Sequence, residues 1–381
     1  MNGIPNDKLY DLWRFTLEAY DYSTDFAVLL PRHQWLICDA YLAPGNIEYE
    51  TGTQIKRQVQ YAEGVAHWHR PAASRTRSSG RFLTEFTAPW VGIYGEMTMI
   101  AAELRRNLGK ARLKNLRTSR SIAADLGILK EIEQRMWMLP DSATDDLHPR
   151  GFPYYLKPMT SAQLTTHTSA GTSPVGYEGQ NPSGFDDCGG IDASSSTYSR
   201  WRNLCGSWTN TSAAITETDM IRLGQMWRRM HWRAPKKASD LDSPAFSKLR
   251  IATDEAIVDA YSRFVRQQND DLGVDGGRFY GAGLNEAGEP TFKGLPLTWV
   301  EDLDNTSADT TELTTKGYHP WYWLHLGVFK PIFERGMFFT EDTPPRDWEQ
   351  PDVFTTFRDC AFQNFCENRQ QAGGVMSYPY A

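Results

Sequence analysis

Residues 53–139 place the strongest constraint on the fold, because an alternating polar and apolar stretch and a turn-rich loop precede a long arginine-rich run with helical spacing. Within the alternating stretch, Ile55, Val59 and Tyr61 fall on one face and mostly polar residues on the other. A ribbon of two strands is only marginally stable alone in water. We therefore expect copies of the chain to complete it, which favours a subunit of a larger assembly over an enzyme.

Length and charge limit the remaining choices. With 381 residues, the chain is long enough for two or three compact lobes, because single cores stop growing below that size. The formal net charge of -7 argues against a protein whose whole surface binds nucleic acid, and leaves room for local basic patches.

Cysteine usage and the lack of long apolar runs indicate an intracellular chain. The cysteines are odd in number and contain no C-x-x-C pair, which is typical of reduced thiols and not of a disulfide framework. They are Cys38, Cys188, Cys205, Cys360 and Cys366. No apolar run approaches the roughly 18 residues that span a bilayer, and residues 1–8 lack a signal-peptide pattern. We expect a chain made in the cytoplasm, with no membrane partner.

The first third of the chain predicts an arm, a ribbon and a long helix. Aromatic and acidic residues alternate up to Pro31, as in an amphipathic helix followed by an extended arm. Glu63-Gly64 predicts a turn from the ribbon into a second strand at 65–69. From Glu96 the apolar residues recur at helical spacing until Pro140, with a kink expected near Gly109. The part after the kink would span about 45 Å at ~1.5 Å per residue.

The rest of the chain predicts mixed structure. Residues 140–200 are rich in turn-forming residues, whereas Thr216 resembles the N-cap of a helix. A strand at 249–253 followed by a helix capped by Asp254 indicates an α/β lobe. Strand character returns in the last hundred residues. The expected strands are 292–300, which would be kinked, 321–333 and 353–365.

No motif with catalytic or metal-binding spacing stands out. His67 and His69 have metal-ligand spacing but lack an accompanying ligand cluster, and the glycine-rich 281–283 lacks the remainder of a dinucleotide fingerprint. The acidic pairs at 186–187 and 301–302 are explained most simply as solvated turns. We expect no catalytic residue, cofactor or metal.

Two compositional features each allow two interpretations. Arg105, Arg106 and Lys110 begin a basic stretch that could contact DNA phosphates without reading bases, or could be a solvated helix face. Arg112, Lys114, Arg117 and Arg120 continue it, with few acids nearby. The aromatic content of 13% favours core and interface contacts over a sugar-stacking groove.

Several local segments form a characteristic series along the chain. They are 52–61 with 65–68, 86–96, 103–110 with its Asn-x-Gly, 188–192 (Cys-Gly-Gly-Ile-Asp) with 201–203, 292–296 and 366–373. In this order they resemble the major capsid proteins of tailed bacteriophages with the HK97 fold. The resemblance covers most of the chain from about residue 48 onward, and its strength lies in this collinear order.

The resemblance implies an α+β chain with defined parts. It places an N-terminal arm at 1–47, an extended loop arm at 48–85, a peripheral domain with a long spine helix at 86–150, a mainly axial domain at 151–310 and return strands of the peripheral domain at 311–381. The loop arm would lie over an adjacent subunit and bury Ile55, Val59, Tyr61 and Trp68 there.

The resemblance also implies a function and partners. The chain would be a structural protein of the virion that assembles in the host cytoplasm into pentamers and hexamers, forming an icosahedral head around double-stranded DNA. A portal and a separate scaffolding protein are expected, the latter because a long charged N-terminal extension is lacking. Some relatives crosslink a loop-arm lysine to a neighbour's asparagine, for which Lys56 is the arm's only candidate; an ordinary solvated lysine is the alternative.

Two other functions stay open at this point. An encapsulin-like cellular nanocompartment would share the fold and load protein cargo in place of DNA. A carbohydrate-active enzyme or lectin would use the abundant Trp and Asp residues.

Overall fold

The computed structural model describes residues 36–62, 68, 81–102, 110–209, 214–230, 248–272, 282–284, 289–304, 317–342 and 352–378. Several predicted features lie outside these residues. They are the N-terminal helix and arm up to residue 35, most of the strand at 65–69, the kink at 107–109, and His67 with His69.

The described chain contains both strands and helices, with the strands in the majority. The strands are β1 (Glu48–Glu50), β2 (Ile55–Gln60), β3 (Leu83–Ala88), β4 (Val91–Ile100), β5 (Val175–Gly179), β6 (Asn203–Ser207), β7 (Leu249–Thr253), β8 (Ala282–Leu284), β9 (Pro290–Phe292), β10 (Leu295–Trp299), β11 (Tyr318–His325), β12 (Phe329–Glu334), β13 (Thr340–Asp342), β14 (Val353–Cys366) and β15 (Gly373–Tyr378). The α-helices are α1 (Lys110–Arg135), α2 (Phe152–Tyr155), α3 (Ser161–Ser169), α4 (Glu217–Arg229), α5 (Glu255–Leu272) and α6 (Arg369–Ala372).

The larger sheet has eight strands in the order β5-β6-β15-β11-β7-β10-β9-β8 and is buried on both faces. Side chains alternate between its faces along β11. Trp321 and Trp323 point into a core that also holds apolar residues of α4 and α5, whereas Tyr322 and Leu324 point into the second, larger core. The described tryptophans are thus largely core residues, as the composition predicted.

The second sheet is built around β14, the longest strand. One edge of β14 pairs with β4 over ten residues, and its other edge pairs with β13 and then with β12, which pairs with β1. The predicted strand at 321–333 is in fact two strands, because β11 belongs to the larger sheet and β12 to this one. The predicted strand at 353–365 is confirmed.

The long helix α1 starts later than the apolar spacing predicted. Residues from Glu96 to Ile100 form the end of β4, with Ile100 paired to Val353, so the prediction of a helix from Glu96 is wrong. Helical spacing of apolar residues cannot outweigh a ten-residue ladder of strand pairing. The 26 residues of α1 span about 39 Å at ~1.5 Å per residue. Ile128 and Ile132 are buried on its inner face.

Capping residues in the sequence correctly predicted where two helices in the middle of the chain begin. Thr216 forms a capping box with Asp219 at the start of α4, and Asp254 accepts the backbone N–H of Ile257 at the start of α5. The predicted single strand at 292–300 is instead a hairpin of β9 and β10, because Lys293 and Gly294 take positive φ angles of 53° and 82°.

All five cysteines are free, as predicted. Burial raises the pKa of Cys205 to about 12 and that of Cys360 to about 11, so both stay protonated thiols near neutral pH.

A buried histidine lies where the two sheets join. His325 ends β11, its Nδ1 accepts the N–H of Gly327 at 3.1 Å, and the chain then enters β12 of the other sheet. Burial, reinforced by the nearby charge of Lys248, lowers the pKa of His325 from 6.5 to about 4.

Acidification should therefore weaken the fold at His325. Between pH 6.5 and pH 4 the unfolded chain binds a proton at this residue and the folded chain does not. We expect the free energy of unfolding to fall by about 1 to 2 kcal/mol from this group between pH 7 and pH 5. In His325→Asn, the amide oxygen can still accept the N–H of Gly327, and urea unfolding at both pH values should show a smaller pH dependence than the parent. An unchanged pH dependence would contradict this assignment.

Candidate subunit contact surfaces

Among the described residues, the ribbon forms from β2 and β3. Ile55 pairs with Ala88 and Gln60 with Leu83 in an antiparallel register. The predicted turn at Glu63-Gly64 and most of the strand at 65–69 lie outside the described residues. The register brings together two segments more than twenty residues apart, and no local turn signal reports such a pairing.

The apolar face of the ribbon is covered by its own subunit. Ile55 is 1% exposed and Val59 is 8% exposed, and both belong to the larger core. The expectation that these two residues bury against a neighbouring subunit is therefore wrong. The physical reason is Phe86 on β3, which is fully buried and carries the same face of the ribbon onto the body of the subunit.

A glycine turn pins the ribbon to the body. The N–H of Thr87 donates to the carbonyl of Gly189 at 2.9 Å, and the N–H of Gly189 donates to the hydroxyl of Tyr154 at 2.9 Å. The Phe86 ring lies directly over Gly189, leaving no room for a Cβ there. The Arg150 guanidinium lies 5.4 Å from the centre of the same ring. The Gly-Gly-Ile-Asp segment noted in the sequence is thus the anchor point of the ribbon.

The outer end of the ribbon is more exposed. Tyr61 packs edge-on against Tyr198 at 4.9 Å, and its hydroxyl donates to the carbonyl of Arg81 at 2.8 Å. Trp68 is fully exposed, with a relative exposure of 105%. Lys56 Nζ lies 3.1 Å from a carboxylate oxygen of Glu85 on the paired strand, and both side chains are more than half exposed.

A cleft runs beside this outer end. It has a volume of about 370 Å³ and lies between β2 and the segment that leads into α6. Its lining includes Gln58, Tyr61, Trp201, Asn368 and Gln371. The mixture of amides and rings suits contact with polypeptide better than the chemistry of a catalytic centre.

The basic stretch is only partly described. Arg105 and Arg106 lie outside the described residues. Lys110 is the first residue of α1, but its side chain is not among the described parts of the chain. Further along α1, Arg117 is buried and pairs with Glu341, and Arg120 donates to the carbonyl of Thr98. These two arginines hold α1 to the sheet around β14.

A buried glutamate joins the N-terminal end of the described chain to α1. Glu133 accepts the backbone N–H groups of Ile37 and Cys38 at 3.2 and 3.1 Å. Burial raises the pKa of Glu133, although these two hydrogen bonds act to lower it. The start of the π-helical turn Ile37–Tyr41 is thereby tied to α1.

Sequence reasoning missed one face of the sheet around β14, here called the open sheet face. It comprises Tyr94, Glu96 and Ile100 of β4 and Phe357 and Asp359 of β14. Phe357 pairs with Glu96 and Asp359 with Tyr94, so these side chains lie on the same face of the sheet. Tyr94 is 66% exposed and meets Phe357 edge-on at 5.6 Å. The opposite face of β4 packs on α1. The available signal in the sequence was the alternation of apolar Val91, Ile93, Met97 and Met99 with Tyr94, Glu96 and Thr98.

The segment that closes the chain holds a buried arginine. Arg369 is 0% exposed and donates to the carbonyls of Tyr155, Gln180 and Trp201 and to the Oδ1 of Asn203, over 2.7 to 2.9 Å. The guanidinium therefore joins its own segment to three others around the start of β6.

One cluster within the described residues could in principle hold a metal ion. It consists of Asp141, Asp145 and His148 in the loop after α1. His148 Nδ1 lies 2.7 Å from Asp145, and Arg135 lies 3.5 Å from Asp141, so the three side chains already have protein partners. Contacts between these turn residues account for this arrangement.

No helix in the described part of the chain is long and apolar enough to cross a membrane.

Sequence comparisons find no relatives: no protein-family profile and no curated protein matches this chain. Comparison of structures does. A subunit of the cyanophage A-1(L) capsid superposes with a TM-score of 0.58 at 14% identity, covering 95% of this chain and 97% of the other. The capsid of an empty GTA particle, computed with C5 symmetry, gives 0.52 at 10% identity over 93% and 99%. The chain has an HK97-like capsid fold.

The HK97-like fold confirms the predicted α+β class. At these identities the likeness establishes the architecture alone. The predicted division into arms, peripheral domain and axial domain stays a prediction, as do the contacts of Tyr61, Trp68 and Lys56 with other subunits.

Proposed function

We propose that this chain is the major capsid protein of a tailed phage, which self-assembles into an icosahedral head around double-stranded DNA. The observation that carries the proposal is the end-to-end match to two capsid subunits, which covers more than nine tenths of each chain compared. A catalytic module set into another protein would not match whole subunits in this way. The proposed role is structural, and its site of action is the virion.

The proposed mechanism is assembly through many weak interfaces. The loop arm at 48–85 would lie on an adjacent subunit, with Trp68 as its exposed aromatic anchor. Pentamers and hexamers would form in this way, and their contacts would sum by multivalency. The C5 symmetry of the GTA capsid is consistent with five-fold units.

Charge complementarity supports placing the arm on the open sheet face of the next subunit. Residues 64–84, which include Trp68, contain four arginines and no acid. The open sheet face carries Glu96 and Asp359 around the exposed ring of Tyr94. An aromatic anchor among basic groups would thus meet an aromatic surface with acidic groups at its edge.

Electron microscopy of the purified full chain tests the proposal. Polyhedral shells or capsomer rings are expected, whereas a dispersed monomer with affinity for glycans would overturn it in favour of an enzyme or lectin. DNA inside particles from infected cells would support a phage head, and protein cargo would indicate a nanocompartment. The proposal includes a portal and a separate scaffolding protein, so closed heads from this chain expressed alone would remove the scaffold from it.

The arm contact predicts a specific assembly defect. The side chain of Trp68 is fully exposed, so Trp68→Ser should leave thermal unfolding unchanged. We expect the protein concentration needed for assembly, measured by light scattering and sedimentation, to rise at least about tenfold, as for loss of an aromatic anchor. Trp68→Phe keeps an aromatic ring and should largely restore assembly. Normal assembly of Trp68→Ser would exclude Trp68 as an anchor.

A further inference from the structure

A second basic surface, here called the α4 ridge, lies far along the chain from the start of α1. Helix α4 begins with the acids Glu217 and Asp219, and the next acid is Asp240. Six cations lie between them: Arg222, Arg228, Arg229, Arg233, Lys236 and Lys237. This density is unusual in a chain with a net charge of -7. The ridge is defined by the described residues Arg222, Arg228 and Arg229, together with Lys293.

Neutral groups hold two of these arginines in place. Arg222 donates to the carbonyl of Ser207 at 2.7 Å, and Arg229 donates to the carbonyl of Val175. A carbonyl fixes a guanidinium without cancelling its charge. Asp219 lies 3.9 Å from Arg222, but it is fully buried and already accepts hydrogen bonds from Thr209 and Thr216.

The other two cations are exposed and come from different elements. Arg228 lies in the last turn of α4 and Lys293 in the turn between β9 and β10. Lys293 Nζ is 5.9 Å from the ring centre of Phe292, and Trp227 packs against the same ring at 6.3 Å. In the described part of the chain, no carboxylate forms an ion pair with Arg228 or Lys293.

A simpler explanation covers only part of the ridge. Basic residues in the last turn of a helix are favoured by the helix dipole, which accounts for Arg228 and Arg229. The dipole acts only within the last turn, so it does not account for Arg222 in the middle of α4 or for Lys293 on a hairpin. The helix dipole therefore does not account for all four cations of the ridge.

We propose that the α4 ridge contacts the phosphates of duplex DNA. Arg222 and Arg229 are separated by about 10 Å along the helix axis, a length over which B-DNA presents about six phosphates. Trp227 is packed against Phe292, which leaves Ile221 as the exposed large apolar side chain of α4. A surface with many cations and few apolar anchors fits a polyanion better than a folded protein partner. The inference rests on the proposed shell function for the identity of that polyanion.

Salt-dependent binding of the purified full chain to a 24-base-pair duplex tests this proposal. The logarithm of the binding constant falls linearly with the logarithm of the salt concentration. Each lost phosphate contact lowers the magnitude of this slope by about 0.9. Arg228→Gln and Lys293→Gln should each lower the slope by about that amount, and the double variant by about 2. Arg335→Gln is the matched control, because Arg335 is also exposed and lies in the turn that follows β12 of the other sheet, and its slope should equal that of the parent.

The outcomes separate this inference from the shell function. A parental slope in the Arg228→Gln/Lys293→Gln variant would overturn the ridge as a DNA contact. Polyglutamate that binds as tightly as the duplex and loses affinity in the same variants would assign the ridge to an acidic polypeptide instead. Shells formed by a variant with the reduced slope would support the ridge. A parent chain that binds the duplex through the ridge but forms no shells would support the ridge and refute the proposed shell function.

Discussion

Replacing Arg369 with methionine should lower the free energy of unfolding by about 4 kcal/mol, the largest effect we expect from a single side chain. The guanidinium is fully buried, and its N–H groups satisfy the carbonyls of Tyr155, Gln180 and Trp201 and the side chain of Asn203. Methionine fills much of the same volume but leaves these acceptors without donors, at about 1 to 3 kcal/mol each before relaxation. Urea unfolding of the unassembled chain measures the change.

Two further variants identify the cause of this loss. Arg369→Lys keeps the charge but offers one compact ammonium in place of the planar guanidinium. Its free energy of unfolding should therefore still fall by about 2 to 3 kcal/mol. Arg335→Met makes the parallel replacement at an exposed site and should change stability by less than about 0.5 kcal/mol. A loss below about 1 kcal/mol in Arg369→Met would show that the four acceptors find other donors.

Replacing Gly189 with alanine should destabilise the subunit by about 3 to 4 kcal/mol by displacing the ribbon. Gly189 has a φ of +74°, and an added Cβ would lie 1.9 Å from Cε2 of Phe86. Phe86 would have to leave a fully buried site, and its burial contributes about 2 to 3 kcal/mol. The left-handed backbone adds about 1 kcal/mol for a residue other than glycine. Thermal and urea unfolding both report the loss.

Gly184 provides a matched control for backbone strain. Its φ of +80° is nearly the same, but no atom lies within 4 Å of an added Cβ. Gly184→Ala should therefore cost only about 1 kcal/mol, and the difference between the two variants isolates the contact with Phe86. Equal losses in the two variants would mean that Phe86 can move without cost and that Gly189 does not pin the ribbon.

Local signals predicted those parts of the structure that depend on neighbouring residues. The capping box at Thr216 and the helix start at Asp254 lie where predicted, because a cap involves residues only three positions apart. The collinear order of weak motifs led to the HK97-like fold, and the fold is confirmed although no sequence comparison finds a relative. The Gly-Gly-Ile-Asp turn proved to be the structural anchor of the ribbon.

Predictions failed where distant segments decide the outcome. Glu96 to Ile100 show helical spacing, yet they pair as a strand with residues more than 250 positions away. Ile55 and Val59 were expected to need a second subunit, but Phe86 brings their face onto the subunit's own core. The α4 ridge joins a helix to the turn at Lys293, which no sequence spacing indicates.

The sequence by itself determined the class of fold, through the collinear motifs that carry its resemblance to a known family. It also determined the free thiols and the positions of the capped helices, because these follow from cysteine usage and from contacts between residues close along the chain. Only the tertiary structure decided which strands pair, which faces stay exposed and which charges stay unpaired. Those properties depend on segments such as β4 with β14 and on residues such as Arg369, whose partners lie more than 150 positions away along the chain.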